Sequence, residues 1–120
     1  MKVLTRAEEQ IMQCVWKLNT AVLKDIIDGL AEPKPHSNTV ATVLKVLAEK
    51  GFIGIKQIGR INQYYPLISK EAYSTRSMRN LVEGYFEGSF SEAVSFMVSQ
   101  KEISVKELEL LLQQKKKNKK

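Results

Sequence analysis

The residue types with the clearest chemical use lie in one short segment, 37–45, which is rich in small polar side chains and ends on a lysine. Asparagine can form paired hydrogen bonds with adenine, and threonine can bond to bases or phosphates while its methyl group contacts that of thymine. Asn38 and Thr42 carry these side chains, and Lys45 could reach a backbone phosphate. The segment therefore predicts a DNA-contacting surface. The predicted contact residues are Ser37, Asn38, Thr39, Ala41, Thr42 and Lys45.

Two cations outside this segment could add to the same surface. Arg60 follows Gly59 at the tip of a predicted hairpin, from which it could reach a phosphate or the minor groove. Lys24 lies near the start of a predicted short helix, whose free backbone amides could also hold a phosphate. We therefore add Arg60 and Lys24 to the predicted DNA-binding residues.

Catalytic and metal chemistry find little support in the composition. The chain has one cysteine, Cys14, and one histidine, His36, so it can form no internal disulfide and cannot supply the Cys and His ligands of a zinc site. Cys14 falls on the apolar face of a predicted helix, where a small buried side chain is the ordinary interpretation. We therefore expect no metal, no cofactor and no enzymatic activity.

Length, composition and charge set further bounds. The 120 residues, 43% of them hydrophobic, suffice for a small domain with an appendage. The net charge of +6 is distributed as +3 over residues 1–66, −2 over 67–114 and +5 over 115–120. This excess of positive charge is compatible with a nucleic-acid partner but is weak evidence alone. The sequence shows no apolar run long enough for a bilayer span and no secretory signal, which predicts a cytoplasmic protein.

The first half of the chain shows three helix patterns. Thr5 and Glu8 form a capping-box pattern at the start of the first helix. A second, short helix is predicted to open at 20–22. Ser37 is the predicted N-cap of a third helix, which Gly51 should end in the left-handed conformation. Its apolar stripe consists of Val40, Val43, Leu44 and Leu47. The polar segment 37–45 would therefore lie on an exposed face at the start of this helix.

A strand pair follows the third helix. Residues 52–57 and 61–65 have strand-like composition, and Gly59 supplies the turn between them. Three helices followed by a β-hairpin is the element order of a winged helix. The sequence therefore predicts a mainly α (α+β) fold, with a winged helix-turn-helix domain in residues 1–66. In such a domain the second helix of the helix-turn-helix enters the major groove, which places Asn38 and Thr42 near the bases.

The second half of the chain is predicted to be helical. Apolar residues recur at helical spacing in 67–114, Ser91 could cap one helix, and Ser104 with Glu107 forms another capping box. A segment this short seldom buries enough apolar surface alone, so we expect a helical dimerisation region at 67–114 and a basic disordered tail at 115–120. The predicted dimerisation residues are Leu81, Val82, Phe86, Phe90, Leu108 and Leu111.

Several spaced motifs run through nearly the whole chain in a specific order. They are Leu4–Glu8, Ile11-Met12, Val15-Trp16, Asn38–Thr42, Lys50–Ile53, Gln63–Tyr65 and Gly88–Phe90. Together they resemble the penicillinase and methicillin-resistance repressors, the BlaI/MecI family, which is related to the copper-responsive CopY repressors. The resemblance implies a homodimer that binds a palindromic double-stranded DNA operator. It also implies release of the operator when a membrane sensor-protease pathway cleaves the C-terminal region, at a bond that aligns with Phe96 and Met97.

The sequence departs from this family at defined positions. Family members carry Lys and Arg where this chain has Asn38 and Ala41, whereas Thr39 and Thr42 match. The family's cleaved bond follows an asparagine, which is absent before Met97. Copper-sensing relatives use paired C-terminal cysteines, which this sequence also lacks. These departures imply a repressor with either an altered operator preference or weaker operator binding, and with no direct metal sensing.

Two other classes of function remain open on the residues alone. A winged helix can act as a protein-interaction module without DNA, and the modest charge of residues 1–66 together with Ala41 would fit that use. An enzyme dependent on Cys14 or His36 is the third class, and no catalytic motif supports it. Loss of DNA recognition on substitution of Asn38 and Thr42 would distinguish the repressor from the interaction module.

Overall fold

The fold is given by a computed structural model that describes the backbone of residues 3–118 and the side chains of residues 3–115. Two strands lie between three N-terminal and three C-terminal helices. The elements are α1 Arg6–Leu18, α2 Leu23–Asp28, α3 Ser37–Glu49, β1 Ile53–Ile58, β2 Ile61–Pro66, α4 Lys70–Phe86, α5 Phe90–Ser99 and α6 Val105–Asn118. This order confirms the predicted mainly α fold with three helices and a hairpin.

Helix α1 begins and ends where local chemistry requires it. The Glu8 amide donates to Thr5 Oγ1 at 3.2 Å, and the Thr5 amide donates to Glu8 Oε1 at 2.8 Å, which completes the predicted capping box. Asn19 ends the helix with φ of 67°, a conformation that asparagine tolerates better than most residues. Helix α2 is shorter than predicted and begins at Leu23, because residues 20–22 are extended.

Helix α3 has a different N-cap from the predicted one. His36, not Ser37, occupies the N-cap position, and its Nδ1 accepts a hydrogen bond from the Asn38 amide at 3.1 Å. At the other end Gly51 has φ of 81°, and the Phe52 amide donates to the Leu47 carbonyl at 2.9 Å. This six-to-one hydrogen bond is that of a Schellman motif, so the predicted role of Gly51 is confirmed.

Strands β1 and β2 form an antiparallel hairpin, called the wing below and comprising residues 53–66. Its pairs run from Ile53 opposite Pro66 to Ile58 opposite Ile61. Ala21 pairs with Tyr64 from the other side through two backbone hydrogen bonds of 2.8 and 2.9 Å. Residues 20–22 are therefore extended because Ala21 adds a short third strand to the wing.

The core of the N-terminal part lies between α1, α2, α3 and the base of the wing. Phe52, Met12 and Leu44 are fully buried there. The remaining buried members are Leu4, Ile11, Val15, Ala21, Ile26, Val40, Leu47, Ile53, Tyr64 and Tyr73. The predicted stripe of α3 is thus mostly confirmed: three of its residues face the core and Val43 is half-buried.

The first turn of α4 belongs to the N-terminal unit. Trp16 Nε1 donates to the Ile68 carbonyl at 2.9 Å, and the Leu4 amide donates to the Tyr73 hydroxyl at 3.2 Å. The Tyr73 ring packs on Trp16 and Phe52 with centroid distances of 5.7 and 5.6 Å. The chain consequently divides between Thr75 and Arg76, nine residues after the predicted boundary at residue 66.

The second unit contains the remainder of α4 with α5 and α6. Ser89, rather than the predicted Ser91, caps α5 by accepting from the Glu92 amide at 3.2 Å. Ser104 and Glu107 form the predicted capping box before α6. Helix α6 continues to Asn118, so residues 115–118 are helical where a disordered tail was predicted; residues 119–120 lie outside the described part. None of the helices in residues 3–118 is long and apolar enough to cross a membrane.

One ion pair ties the start of α1 to the end of α3. Lys50 Nζ lies 2.7 and 2.9 Å from the two carboxylate oxygens of Glu8, which is only 5% exposed. Burial acts to raise the pKa of Glu8, but the hydrogen bonds from Lys50 and Thr5 outweigh it and hold the pKa below its ordinary value. The charged form of the Glu8 carboxyl is therefore more stable, relative to the neutral form, in the folded protein than in the unfolded chain.

This pKa shift predicts acid sensitivity. A carboxyl with a lowered folded pKa stabilises the fold above its unfolded pKa of about 4.3, and that stabilisation is lost as the pH falls through the folded value. We expect Lys50→Met to lower the free energy of unfolding at pH 7 by about 1–3 kcal/mol, because Glu8 loses its charged partner. Urea unfolding at pH 7 and at pH 4 measures this, with the exposed Glu49→Gln as the control. Equal losses for Lys50→Met at both pH values would contradict the assignment.

Candidate nucleic-acid interface

The exposed face of α3 is built from the side chains that the sequence singled out. Asn38, Thr42 and Lys45 are exposed and share one face, because residues three and four apart lie together on a helix. Ser37 and Thr39 are also exposed at the first turn, whereas Ala41 is half-buried beside the core stripe. The first turn contains no acidic residue, and Glu49 lies at the far end. The N-terminal half of α3 therefore presents a polar, acid-free surface.

Two hydrogen bonds fix the geometry of this surface. The Thr42 hydroxyl donates to the Asn38 carbonyl at 2.8 Å, which leaves the lone pairs of Thr42 Oγ1 free to accept. The His36 cap holds the Asn38 amide in place at the start of the helix. The Asn38 side chain itself forms no hydrogen bond within the described residues. Its amide group is therefore available for an external partner with both a donor and an acceptor.

The two additional predicted cations lie on neighbouring elements of the same unit. Lys24 is exposed in the first turn of α2, and Arg60 is exposed at the tip of the wing beside Gly59, which has φ of 63°. Helix α2 has only six residues, so its terminus alone is a weak anion site. Arg60 and Lys24 could each contact a phosphate, because both are exposed and long.

The contacts of Cys14 and His36 are those of structural residues: Cys14 packs against the core, and His36 caps α3. Cys14 is half-buried against the core, and burial raises the pKa of its thiol while Lys17 and Lys34 act weakly against that. The Cys14 sulfur is 3.1 Å from the position that a side-chain carbon on Gly29 would take, which shows how closely α1 and α2 approach. Residues 3–115 contain no cluster of three or more His, Cys, Asp or Glu side chains that could hold a metal.

The predicted dimerisation residues divide into two groups. Leu81, Phe90 and Leu111 are about half exposed, at 47%, 52% and 49%. Val82 is buried within the single chain, and Phe86 and Leu108 are half-buried. The first group thus offers apolar surface, whereas the second contributes to the packing of the second unit itself.

The second unit exposes more apolar surface than the sequence analysis named. Its additional exposed apolar residues are Met78, Tyr85, Val94, Phe96, Met97, Val105, Leu110 and Leu112. Some of them line a cavity of about 470 Å³ between α4 and α5, with Phe86 and Phe96 at a ring distance of 5.6 Å. The helical spacing of these residues was visible in the sequence, but spacing does not tell how much of an apolar face the chain covers by itself.

The bond that aligns with the family's cleavage position lies inside α5. Phe96 and Met97 are 51% and 44% exposed, and the helix continues to Ser99. A protease binds its substrate as an extended strand, so a helical bond must unwind before it is cut. The side chains at this bond are accessible, whereas the backbone conformation is not that of a bound substrate.

Comparison with known proteins agrees with the architecture. The penicillinase repressor family matches residues 4–117. The methicillin resistance regulatory protein MecI of Staphylococcus aureus is 28% identical over 109 residues, which cover 90% of this chain and 89% of MecI. The MecI protein of Mammaliicoccus sciuri is equally similar, at 28% over 109 residues.

A solved structure supports the fold. That of Bordetella bronchiseptica BpsR, whose DNA binding is regulated by 6-hydroxynicotinic acid, covers 84% of this chain and 76% of its own, with a TM-score of 0.51 and 15% identity. The structure of the CopR repressor covers 57% of this chain and all of its own, at 28% identity and a TM-score of 0.48. The family match spans almost the full length and its members are regulators rather than enzymes, so the chain belongs to the penicillinase repressor family of DNA-binding transcriptional repressors.

Proposed function

We propose that this protein represses transcription as a homodimer on a palindromic operator, with α3 of each subunit in the major groove of one half-site. The observation that carries this proposal is the acid-free exposed face of Asn38, Thr42 and Lys45 at the start of α3. Asn38 would read adenine, Thr42 would accept a hydrogen bond from a base, and Lys45 would neutralise a phosphate. Arg60 at the tip of the wing and Lys24 in α2 would add phosphate contacts.

The exposed apolar residues of the second unit support a dimer. Leu81, Phe90 and Leu111 lie on three different helices, and each exposes about half of its side chain. Apolar surface of this extent on a small unit is ordinarily covered by another protein surface. A second copy covers it and at the same time doubles the DNA-binding module, which matches a site made of two symmetric halves.

The protein would leave the operator when cleavage in the second unit disrupts the dimer. Cleavage at the bond between Phe96 and Met97 would remove the last three residues of α5 from the rest of the helix and separate the residues that line the cavity beside α4. Membership of the penicillinase repressor family suggests a source for such cleavage, namely a membrane sensor-protease pathway that responds to a β-lactam. Because the bond is helical and lacks the preceding asparagine, cleavage here would need local unwinding of α5 and a protease with altered side-chain preference.

The proposal is tested by selecting DNA and then measuring binding to it. Full-length protein is used to select duplexes from a random library, and the recovered duplex is titrated against a scrambled duplex of the same composition. We expect selective binding that saturates at two chains per site and that weakens steeply with salt, because phosphate contacts release counterions. Equal binding to both duplexes would contradict a sequence-specific repressor, and one chain per site would contradict the dimer.

A further inference from the structure

The cavity in the second unit has a size that suits a small organic molecule. It lies between α4 and α5 with a volume of about 470 Å³, and small-molecule sites usually measure about 300–1,000 Å³. Within the described residues every side chain that lines it is apolar or aromatic, and Tyr85 supplies the only hydroxyl among them. The body of a ligand that fills this cavity must therefore be apolar.

The walls of the cavity favour a bulky, aromatic body. Phe86 and Phe96 both line it, with ring centroids 5.6 Å apart and ring planes at 53° to each other. Met78 and Met97 line it as well, and the flexible thioether side chain of methionine adapts to irregular shapes and contacts aromatic rings favourably. Aromatic rings of a ligand would therefore find adaptable contacts in this cavity.

An acidic recess adjoins this cavity at the turn between α4 and α5. Tyr85 and Phe86 line both the cavity and the recess, whose other lining residues are Glu87, Ser89 and Glu92. Glu87 and Glu92 are exposed, and neither carboxylate takes part in a salt bridge within residues 3–115. The recess, called the acidic recess below, therefore places two carboxylates beside the aromatic wall of the cavity.

The charge around the acidic recess is negative, although the protein as a whole is basic. Residues 80–100 contain Glu83, Glu87 and Glu92 and no lysine, arginine or histidine, whereas the whole chain has a net charge of +6. An anionic group would be repelled here, whereas a cation would be attracted by the carboxylates and by the π-faces of the neighbouring aromatic rings. The charge of this region therefore complements a cation attached to an apolar body.

We infer that the second unit binds a lipophilic cation, with its apolar body between α4 and α5 and its positive charge at the acidic recess. Aromatic phosphonium and quaternary ammonium compounds have this chemistry, because they join a permanent positive charge to a large apolar surface. Tyr85 and Phe86, which line both parts of the site, would contact the ligand where its body meets its charge. Binding of this ligand requires no DNA and is distinct from operator recognition.

Occupancy of the cavity would also act on dimerisation. Leu81 lines the cavity and belongs to the exposed apolar surface that the proposed dimer covers. The ligand and the partner subunit would then compete for the same side chain, and a ligand that binds the monomer more tightly than the dimer weakens subunit association by the same factor. This consequence rests on the proposed function, and it makes the lipophilic cation an inducer that releases the operator without cleavage.

The binding site is tested by titrating two matched probes into the full-length protein in a calorimeter. Methyltriphenylphosphonium and triphenylphosphine oxide share three phenyl rings, but the oxide has an oxygen in place of the methyl group and no net charge. We expect one phosphonium per chain, bound at least about tenfold more tightly than the oxide, because the carboxylates attract only the cation. Equal affinities would contradict the role of the acidic recess. Absence of binding by either probe would overturn the inference, as expected if a second copy of the chain filled the cavity.

Methionine methyl groups locate the bound phosphonium. In protein labelled with ¹³C at these methyl groups, the signals of Met78 and Met97 should shift on titration because both residues line the cavity. The signal of Met12, which is buried in the core of the N-terminal unit, should stay unchanged and serves as the internal reference. Shifts absent from both Met78 and Met97 would place the probe elsewhere and overturn the assignment.

The acidic recess is tested by Glu87→Gln with Glu92→Gln, which removes both charges and keeps the side-chain shapes. We expect the phosphonium to bind this variant about tenfold more weakly and the oxide to bind as it does to the wild type. Glu102→Gln with Glu109→Gln is the matched control, because both residues are exposed in the second unit and neither lines the cavity or the recess. Undiminished preference for the phosphonium in the Glu87 and Glu92 variant would show that the recess does not hold the charge.

Sedimentation velocity with and without saturating phosphonium tests the effect on the dimer. We expect subunit association and affinity for the selected duplex each to fall about tenfold in its presence. An unchanged dimer with the phosphonium bound would overturn the role of the ligand as an inducer. Failure to select any duplex would instead remove the proposed function, while the calorimetric titrations, which contain no DNA, would still decide whether the cation site exists.

Discussion

Replacement of Asn38 and Thr42 by alanine is expected to lower affinity for the selected operator by about one to three orders of magnitude, with little change in binding to scrambled DNA. Both side chains are exposed on the first half of α3 and neither contributes to the core. The cap from His36 uses the backbone amide of residue 38 and therefore survives the change. Alanine also has a higher helix propensity than either residue, so α3 should persist. Fluorescence titration of both duplexes measures the difference.

Gln13→Ala is the matched control for this pair. Gln13 is an exposed, uncharged polar residue on α1, so its replacement makes a similar chemical change at a distance from α3. We expect wild-type affinity for this variant. Unchanged operator binding by Asn38→Ala with Thr42→Ala, in a protein with wild-type circular dichroism, would show that α3 does not read the bases and would favour an interaction module.

Leu81→Glu is expected to weaken dimerisation by at least about a hundredfold, because the substitution would bury an unpaired carboxylate in the subunit interface. Leu81 is half exposed in the single chain and lines the apolar cavity between α4 and α5. The monomer should bind the operator far more weakly than the dimer, since it loses the second, linked half-site. Sedimentation velocity gives the oligomeric state, and titration with the selected duplex gives the affinity.

Two controls separate a lost interface from a lost fold. Asn80→Glu adds the same charge at the neighbouring exposed position of α4 and should leave the dimer intact. Leu111→Glu makes the same test on α6, with Gln113→Glu as its own control. A dimer that survives both leucine substitutions would show that this apolar surface is not the subunit interface.

The starts of α1 and α6 and the end of α3 were predictable because their signals are local. The capping boxes Thr5–Glu8 and Ser104–Glu107 formed as predicted, because each pair of side chains lies within hydrogen-bonding reach of the other residue's free backbone amide. Gly51 ended α3 because glycine adopts positive φ without a steric cost. The N-cap of α3 was misplaced by one residue because His36 and Ser37 can both accept a hydrogen bond from an amide, and the sequence does not rank them.

The exposed face of α3 was also predictable, because four apolar residues at helical spacing identify the opposite face as buried. Asn38, Thr42 and Lys45 are exposed as that pattern requires. The apolar wing tip was not foreseen, since a strand of alternating pattern does not show where the core ends. Only the structure shows that Ile53 is buried whereas Ile58, five residues further along, is half exposed.

By itself, the sequence determined the order of the elements, the exposed polar face of α3 and the membership of the family. The tertiary structure decided which distant groups meet: Glu8 with Lys50, Trp16 with Ile68, and Ala21 with Tyr64. Those contacts join α1 to α3, carry the start of α4 into the N-terminal unit and convert a predicted helical turn at Ala21 into a strand. No local pattern encodes these contacts, because the chain contains many other acidic residues, hydrogen-bond donors and extended segments that could pair with Lys50, Ile68 or Tyr64. Simultaneous close packing of the whole core selects among them.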